Sequence, residues 1–186
     1  MKAEKPAQWY DEVYRTSQRY NRPSDEVEEF DLWLAIIRDF DDDTRLLDIG
    51  CGTGQFVELC FAFQHKATGI DFSRVAIQKA KAENPNLKFE VVDFHNDKID
   101  FSKYNTCTIL EVLEHIENDI ELLAKIPQGM MVYLSVPNFD SESHVRYFKD
   151  MDEVINRYCD LIDISFEYEM NVSDENKIFC IGGKRI

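Results

Sequence analysis

The sequence predicts an α/β fold: a mostly parallel sheet of seven strands that closes with an antiparallel hairpin at the C-terminal end. Three observations carry this. From Thr44 onward, apolar runs suited to buried strands alternate with helix-patterned segments, the arrangement of a parallel sheet covered on both faces. The first run, Leu46-Leu47-Asp48-Ile49, leads straight into Gly50-Cys51-Gly52-Thr53-Gly54. Such a turn permits positive φ and lets a ligand approach backbone N–H groups. The last two runs, Leu161 to Glu169 and Lys177 to Gly182, are joined by the polar stretch 171–176 with no helix between them, so one terminal strand must run antiparallel.

In chain order, residues 8–20 carry a helix-like stripe of Trp9, Tyr10, Val13, Tyr14 and Tyr20. Trp9 and Val13 read as packing against the sheet, and Tyr14 and Tyr20 as contacts of a lid. Ser24 is positioned to cap a helix that buries Val27, Phe30, Leu34 and Ile37, with Ile36 a further candidate for the same side. The acidic stretch from Asp39 to Asp43 reads as a solvated linker. Strands are expected near 44–49, 66–71, 87–92, 105–110 and 130–136, and helices near 54–63, 73–83 and 116–125. The chain is read as a single domain, 1–186, with an N-terminal helical cap over 1–40 and a core over 44–186.

Composition narrows the class of function. A chain of 186 residues builds one domain with a sizeable core. No apolar run reaches the length of a membrane span, and Met1-Lys2-Ala3-Glu4-Lys5-Pro6 has no signal-peptide core; a cytoplasmic enzyme is expected. Five scattered cysteines, Cys51, Cys60, Cys107, Cys159 and Cys180, read as reduced, buried small residues. With 36 acids against 21 bases the net charge is -15, which repels nucleic acid phosphates and anionic membranes. No basic stripe with interleaved aromatics interrupts it. A small-molecule substrate fits better.

The glycine turn has the spacing G-x-G-x-G rather than the G-x-G-x-x-G of dinucleotide sites. Asp48, two residues before the first glycine, favours a cationic ligand group over a pyrophosphate. A second strand ends in Asp71, suited to accept hydrogen bonds from ribose hydroxyls, and a third is closed by Asp93. Acids at strand ends are also ordinary turn residues, so the ordered set carries the weight. Three strands ending in Asp48, Asp71 and Asp93, and a fourth ending near Glu111, resemble the class I S-adenosylmethionine-dependent methyltransferases, with their Rossmann-like sheet. The resemblance implies that Asp48, with Gly50, Cys51, Gly52 and Gly54, holds the methionine part of S-adenosylmethionine (product S-adenosylhomocysteine). It implies that Asp71 binds the ribose, that Asp93 contacts the adenine amine, and that Phe72 and Phe94 flank the adenine; core packing is the competing role for both rings.

Chemistry is expected beyond the carboxyl ends of the fourth and fifth strands. There lie Glu111-Val112-Leu113-Glu114-His115 and Ser135-Val136-Pro137-Asn138, the latter followed by His144-Val145-Arg146. These segments resemble the ubiquinone-biosynthesis O-methyltransferases, with Glu111 at the cofactor. A similar pattern occurs in enzymes that methylate the 3′-terminal 2′-hydroxyl of small RNAs. Transfer to a hydroxyl needs alignment and proton removal, which makes His115 the first candidate general base and His144 the second. No metal is assigned; the alternative, implied by the resemblance, is a divalent cation on Glu111, Glu114, His115 and His144. Arg146 is read as an orienting cation for an anionic substrate or as one half of an ion pair. The expected reaction is O-methylation of a small molecule. The alternatives are a small amine, an RNA 3′ terminus, or a non-catalytic cofactor-binding subunit. The substrate wall is expected from the N-terminal segment and the loop 137–150, unless a second copy or a partner subunit completes it.

Overall fold

A computed structural model describes residues 2–186. Its strands are β1 (Arg45–Ile49), β2 (Lys66–Asp71), β3 (Lys88–Val91), β4 (Thr106–Leu110), β5 (Met131–Pro137), β6 (Ile162–Asn171) and β7 (Lys177–Arg185), in the sheet order β3-β2-β1-β4-β5-β7-β6. β1 pairs with β2 and β2 with β3 in parallel, whereas β7 is antiparallel to both β5 and β6. This is the mixed sheet with a terminal hairpin that the sequence predicts. No helix of the described residues is long and apolar enough to cross a membrane.

Two compact units divide the chain: Lys5–Thr106, and Cys107–Ile186 with residues 2–4. In the first, α1 (Ala7–Thr16), α2 (Phe30–Asp39), α3 (Gln55–Ala62) and α4 (Arg74–Glu83) accompany β1–β3. β1 buries Leu46, Leu47 and Ile49, as an interior parallel strand must. Between α3 and α4, Cys51, Val57, Ile77, Ala80 and Phe89 form one buried cluster. α4 starts cleanly because the Ser73 hydroxyl accepts the Ala76 N–H at 3.1 Å.

The second unit holds α5 (Asp119–Leu123), α6 (Met151–Tyr158) and the strands β5, β7 and β6. α6 has a capped start: Asp150 accepts the Glu153 N–H at 3.0 Å while the Glu153 carboxylate accepts the Lys149 N–H at 2.8 Å.

Four expectations need correction. Ser24 caps no long helix: Ser24–Glu26 is a single 3₁₀ turn, Val27 is extended (φ -82°, ψ 150°), and α2 begins only at Phe30 with Leu32, Ile36 and Ile37 as its buried stripe. The helix expected over 116–125 shrinks to α5, because Ile116 is extended (φ -111°, ψ 123°) and the carbonyls of Ile116 and Glu117 bond the Arg146 guanidinium instead of helical N–H groups. α6 was not expected at all, although Asp150-x-x-Glu153 is a readable capping signal. Finally, Cys159 is exposed at the end of α6, unlike the other four thiols, which are buried.

Candidate functional site

Within the unit Lys5–Thr106 the glycine turn adopts backbone angles that its residues allow and few others do. Gly50, Gly52 and Gly54 have φ of 77°, 54° and 89°. The Gly50 and Cys51 N–H groups donate to the Ile70 carbonyl at 2.8 and 3.0 Å, which hangs the turn on the end of β2. A Cβ on Gly54 would stand 2.7 Å from the Phe89 ring, and one on Gly52 would stand 3.1 Å from the Tyr14 hydroxyl. Gly54 is therefore demanded twice, by φ and by space, and Gly52 by φ, with the Tyr14 hydroxyl close above it.

Asp71 is buried below this turn. Its Oδ2 accepts the Gly52 N–H at 3.0 Å and its Oδ1 the Ser73 N–H at 2.8 Å. Burial nevertheless outweighs these two bonds and pushes the carboxyl up to about 6. Each oxygen has a second lone pair, so the group fits a ligand with two hydroxyl donors, as a ribose has. Asp48 is buried as well. Burial, together with the carboxylates of Asp71 and Asp48, pushes the Cys51 thiol well up, a setting that disfavours a reactive thiolate.

α1 lies against the same elements. The Asp11 carboxylate accepts the Ser73 hydroxyl at 2.6 Å and the Val75 N–H at 3.2 Å. The Tyr10 ring centroid is 5.2 Å from that of Phe72, and the Tyr14 ring is 4.6 Å from that of Tyr20. The Thr53 hydroxyl donates to the Tyr20 carbonyl at 2.9 Å. Tyr14 is buried and its phenol is pushed well up by burial and by the Asp71 carboxylate. Asp11 went unnoticed in the sequence, where no local signal marks it.

Asp93 serves its own turn: Oδ1 accepts the His95 N–H at 2.9 Å and Oδ2 the Asn96 side-chain amide at 2.8 Å. Phe94 is buried in the core, while Phe72 is half-buried against Tyr10.

Within the unit Cys107–Ile186, the residues after β4 and β5 form a second constellation. Glu111 has φ of 54°, a left-handed conformation that a glutamate adopts only at a cost. Ser135 on β5 holds it there, accepting the Glu111 N–H at 3.0 Å and donating its hydroxyl to Glu111 Oε1 at 3.0 Å. A 3₁₀ turn, Leu113–His115, follows. His115 Nδ1 lies 3.0 Å from the Ser143 carbonyl and His144 Nδ1 lies 2.9 Å from the Phe139 carbonyl. A carbonyl oxygen only accepts, so in both rings Nδ1 carries the proton and Nε2 is the basic nitrogen. Burial holds both imidazoles below the usual histidine range, with each other's proximity adding to the effect at His144. Their ring centroids are 4.9 Å apart.

Glu114 is 1% exposed, and burial pushes its carboxyl up to about 8. Its Oε1 is 3.6 Å from His115 Nε2, and its Oε2 has no hydrogen-bond partner among the described residues. One donor atom each from Glu114, His115 and His144 lies within 4.8 Å of the others. Three of the four residues of the alternative cation set thus converge, and Glu111 is bonded to Ser135 instead. The orphaned Oε2 fits either a protonated acid or a cation ligand. An open pocket of about 270 Å³ at His144 is lined by Lys2, Asp140, His144, Val145, Arg146 and Tyr147.

Residues 9–165 match the model of a methyltransferase domain family. Over 78 residues the chain is 35% identical to the ubiquinone biosynthesis O-methyltransferase of Alkalilimnicola ehrlichii, a match that spans 39% of this chain and 31% of that relative. Among solved structures, the N-methyltransferase NodS of Bradyrhizobium japonicum in complex with S-adenosylhomocysteine superposes with a TM-score of 0.73 at 15% identity, covering 97% of this chain and 99% of that one. A Haloferax volcanii methyltransferase in complex with the Trm112 activator superposes with a TM-score of 0.67 at 13% identity, covering 94% and 97%. At these identities the superpositions speak for the fold, and the family match, which spans most of the sequence, speaks for descent. The chain therefore belongs to the methyltransferase domain family, and its seven-stranded, hairpin-ended sheet is the Rossmann-like class I fold of the S-adenosylmethionine-dependent methyltransferases.

Proposed function

We propose that this protein transfers the methyl group of S-adenosylmethionine to a hydroxyl of a small-molecule acceptor, with His115 as general base. When bound, the cofactor supplies a methyl group made electrophilic by its sulfonium. Asp48 and the turn from Gly50 to Gly54 hold the methionine part and Asp71 accepts the ribose hydroxyls, with Phe72 beside the adenine. The observation that carries the catalytic assignment is the Ser143 carbonyl at His115 Nδ1, which fixes the tautomer and makes Nε2 the proton acceptor. Burial keeps this imidazole neutral at neutral pH, the state that a base requires. The pocket at His144 is the proposed acceptor side, and the net charge of -15 favours a small acceptor over RNA.

The test is transfer of radiolabelled methyl from S-adenosylmethionine to a panel of catechols, phenols and small amines. Transfer to a hydroxyl that falls about 10²–10³-fold in kcat in His115→Ala, with S-adenosylhomocysteine affinity within about twofold, is the expected result. Labelling of amines alone would replace oxygen by nitrogen as the acceptor atom, and an unimpaired His115→Ala would remove the base. A second reading rests on the unpartnered Oε2 of Glu114: a divalent cation on Glu114, His115 and His144, which suit a transition metal. Calorimetric titration with Mn²⁺ and Zn²⁺ tests it, since binding that disappears in Glu114→Gln would support the cation.

A further inference from the structure

The turn that carries Glu114 and His115 is built around one side chain from elsewhere in the sequence. Arg146 donates from Nη1 to the carbonyls of Leu113 and Ile116, and from Nη2 to that of Glu117 at 2.8 Å. The Leu113 carbonyl also accepts the Ile116 N–H at 3.3 Å, and those of Ile116 and Glu117 would serve later backbone N–H groups if the segment continued as a helix. A planar guanidinium can take all three carbonyls at once because its donors form a rigid fork. The same residue is tied by its backbone: the Val145 and Arg146 N–H groups donate to the Glu114 carbonyl at 2.8 and 3.3 Å. The stretch 143–146 is thereby docked along the turn. That docking delivers the Ser143 carbonyl to His115 Nδ1 and sets the His144 ring against the His115 ring.

The charge of Arg146 is also accounted for inside the protein. Nη1 lies 3.3 Å from Asp119, an acid that is 1% exposed. Asp119 in turn takes a two-pronged pair of bonds from Arg157, both 2.7 Å, and the hydroxyl of Tyr158 at 2.9 Å. Asp119 is thus anchored to α6, and Arg146 spans from that anchor to the turn. The guanidinium is committed to three carbonyls and a buried carboxylate, so the ion pair that the sequence allowed for Arg146 is made inside the protein, while the same residue lines the pocket at His144.

We propose that Arg146 is a positioning residue for His115: it shapes the turn and docks residues 143–146 so that the His115 imidazole is held as the Nδ1–H tautomer with Nε2 as its basic nitrogen. The catalytic meaning of this rests on the reading of His115 as base, whereas the positioning itself is measurable without turnover. The experiment is side-chain ¹H–¹⁵N NMR of the 186-residue chain, with the His115 signals assigned by their loss in His115→Ala. In Arg146→Gln the His115 nitrogen pattern should move from a single Nδ1–H tautomer to a mixture. Arg146→Lys, which keeps the charge beside Asp119 and loses the fork, secures a folded variant and should move it in the same direction. Arg157→Lys disturbs the same Asp119 but touches no carbonyl of the turn, so it should lower the unfolding midpoint and leave the His115 pattern in place.

With an acceptor in hand, Arg146→Lys should lose at least tenfold in kcat, with KM and S-adenosylhomocysteine affinity within about twofold. An unchanged His115 pattern in the folded Arg146 variants, or an equal change in Arg157→Lys, would overturn the role of Arg146. Wild-type turnover in His115→Ala would instead overturn the base reading, with the tautomer result standing.

Discussion

Replacing Asp71 by asparagine separates what this residue does for folding from what it does for the ligand. The wild-type carboxyl is raised from 3.8 to about 6 by burial, which corresponds to about 3 kcal/mol spent on keeping it ionised at pH 7. Asn removes that charge. It also turns an amide donor toward one of the two N–H groups, Gly52 or Ser73, that the carboxylate now satisfies, and a buried unsatisfied donor costs about 1–3 kcal/mol. The two effects oppose each other, so urea unfolding at pH 7 should show a change below about 1.5 kcal/mol. Ligand binding has no such compensation. Losing a charged acceptor for a hydroxyl removes about 1.5–3 kcal/mol, and S-adenosylhomocysteine should bind roughly 10–150-fold more weakly by calorimetry.

The pH dependence supplies a second, independent signature of the same group. The folded-state pKa lies above the unfolded value, so between about pH 4 and pH 6 the folded state binds more protons. The contribution of Asp71 to stability therefore declines as pH rises through that window, and Asp71→Asn should lack this slope. Cofactor affinity runs the other way: it should fall as wild-type Asp71 is protonated below about pH 6, and stay level in the variant. An affinity within twofold of wild type, with the wild-type pH dependence retained, would refute the placement of Asp71 at the ribose.

Two further outcomes test the architecture. Gly54→Ala combines a left-handed backbone with a Cβ only 2.7 Å from the Phe89 ring, and should lower unfolding free energy by about 2–4 kcal/mol; a loss below about 0.5 kcal/mol would show that the turn is not held as described. A thiol reagent should label one cysteine of the native protein rapidly, Cys159, and all five after denaturation; fast labelling of Cys51 would mean that the glycine turn opens in solution.

The strands and the glycine turn were readable locally because their signals are local. Apolar runs of strand length mark β1, β2, β4 and β5, and φ above zero at Gly50, Gly52 and Gly54 is written in the residue type itself. The helical segments were less legible where a distant partner competes for backbone hydrogen bonds. Ile116 and Glu117 sit in a sequence that suits a helix, yet their carbonyls are taken by Arg146. α6 shows the converse: its capping signal is local and complete at Asp150 and Glu153.

The sequence by itself determined the order of the elements, the antiparallel end of the sheet and the residue types able to hold a nucleoside and remove a proton, since each follows from side-chain periodicity or from the chemistry of single residues. Only the tertiary structure decided how those groups are set. It bonded both oxygens of Asp71 to backbone N–H groups, set the Asp93 carboxylate to accept from His95 and Asn96, and joined Arg146, for which the sequence allowed a substrate contact or an ion pair, to three carbonyls and Asp119. It also brought His144, 29 positions along the chain, beside His115. Protonation state, tautomer and hydrogen-bond partner depend on what burial excludes and on which distant groups pack within about 3 Å, and neither quantity exists until the chain has folded.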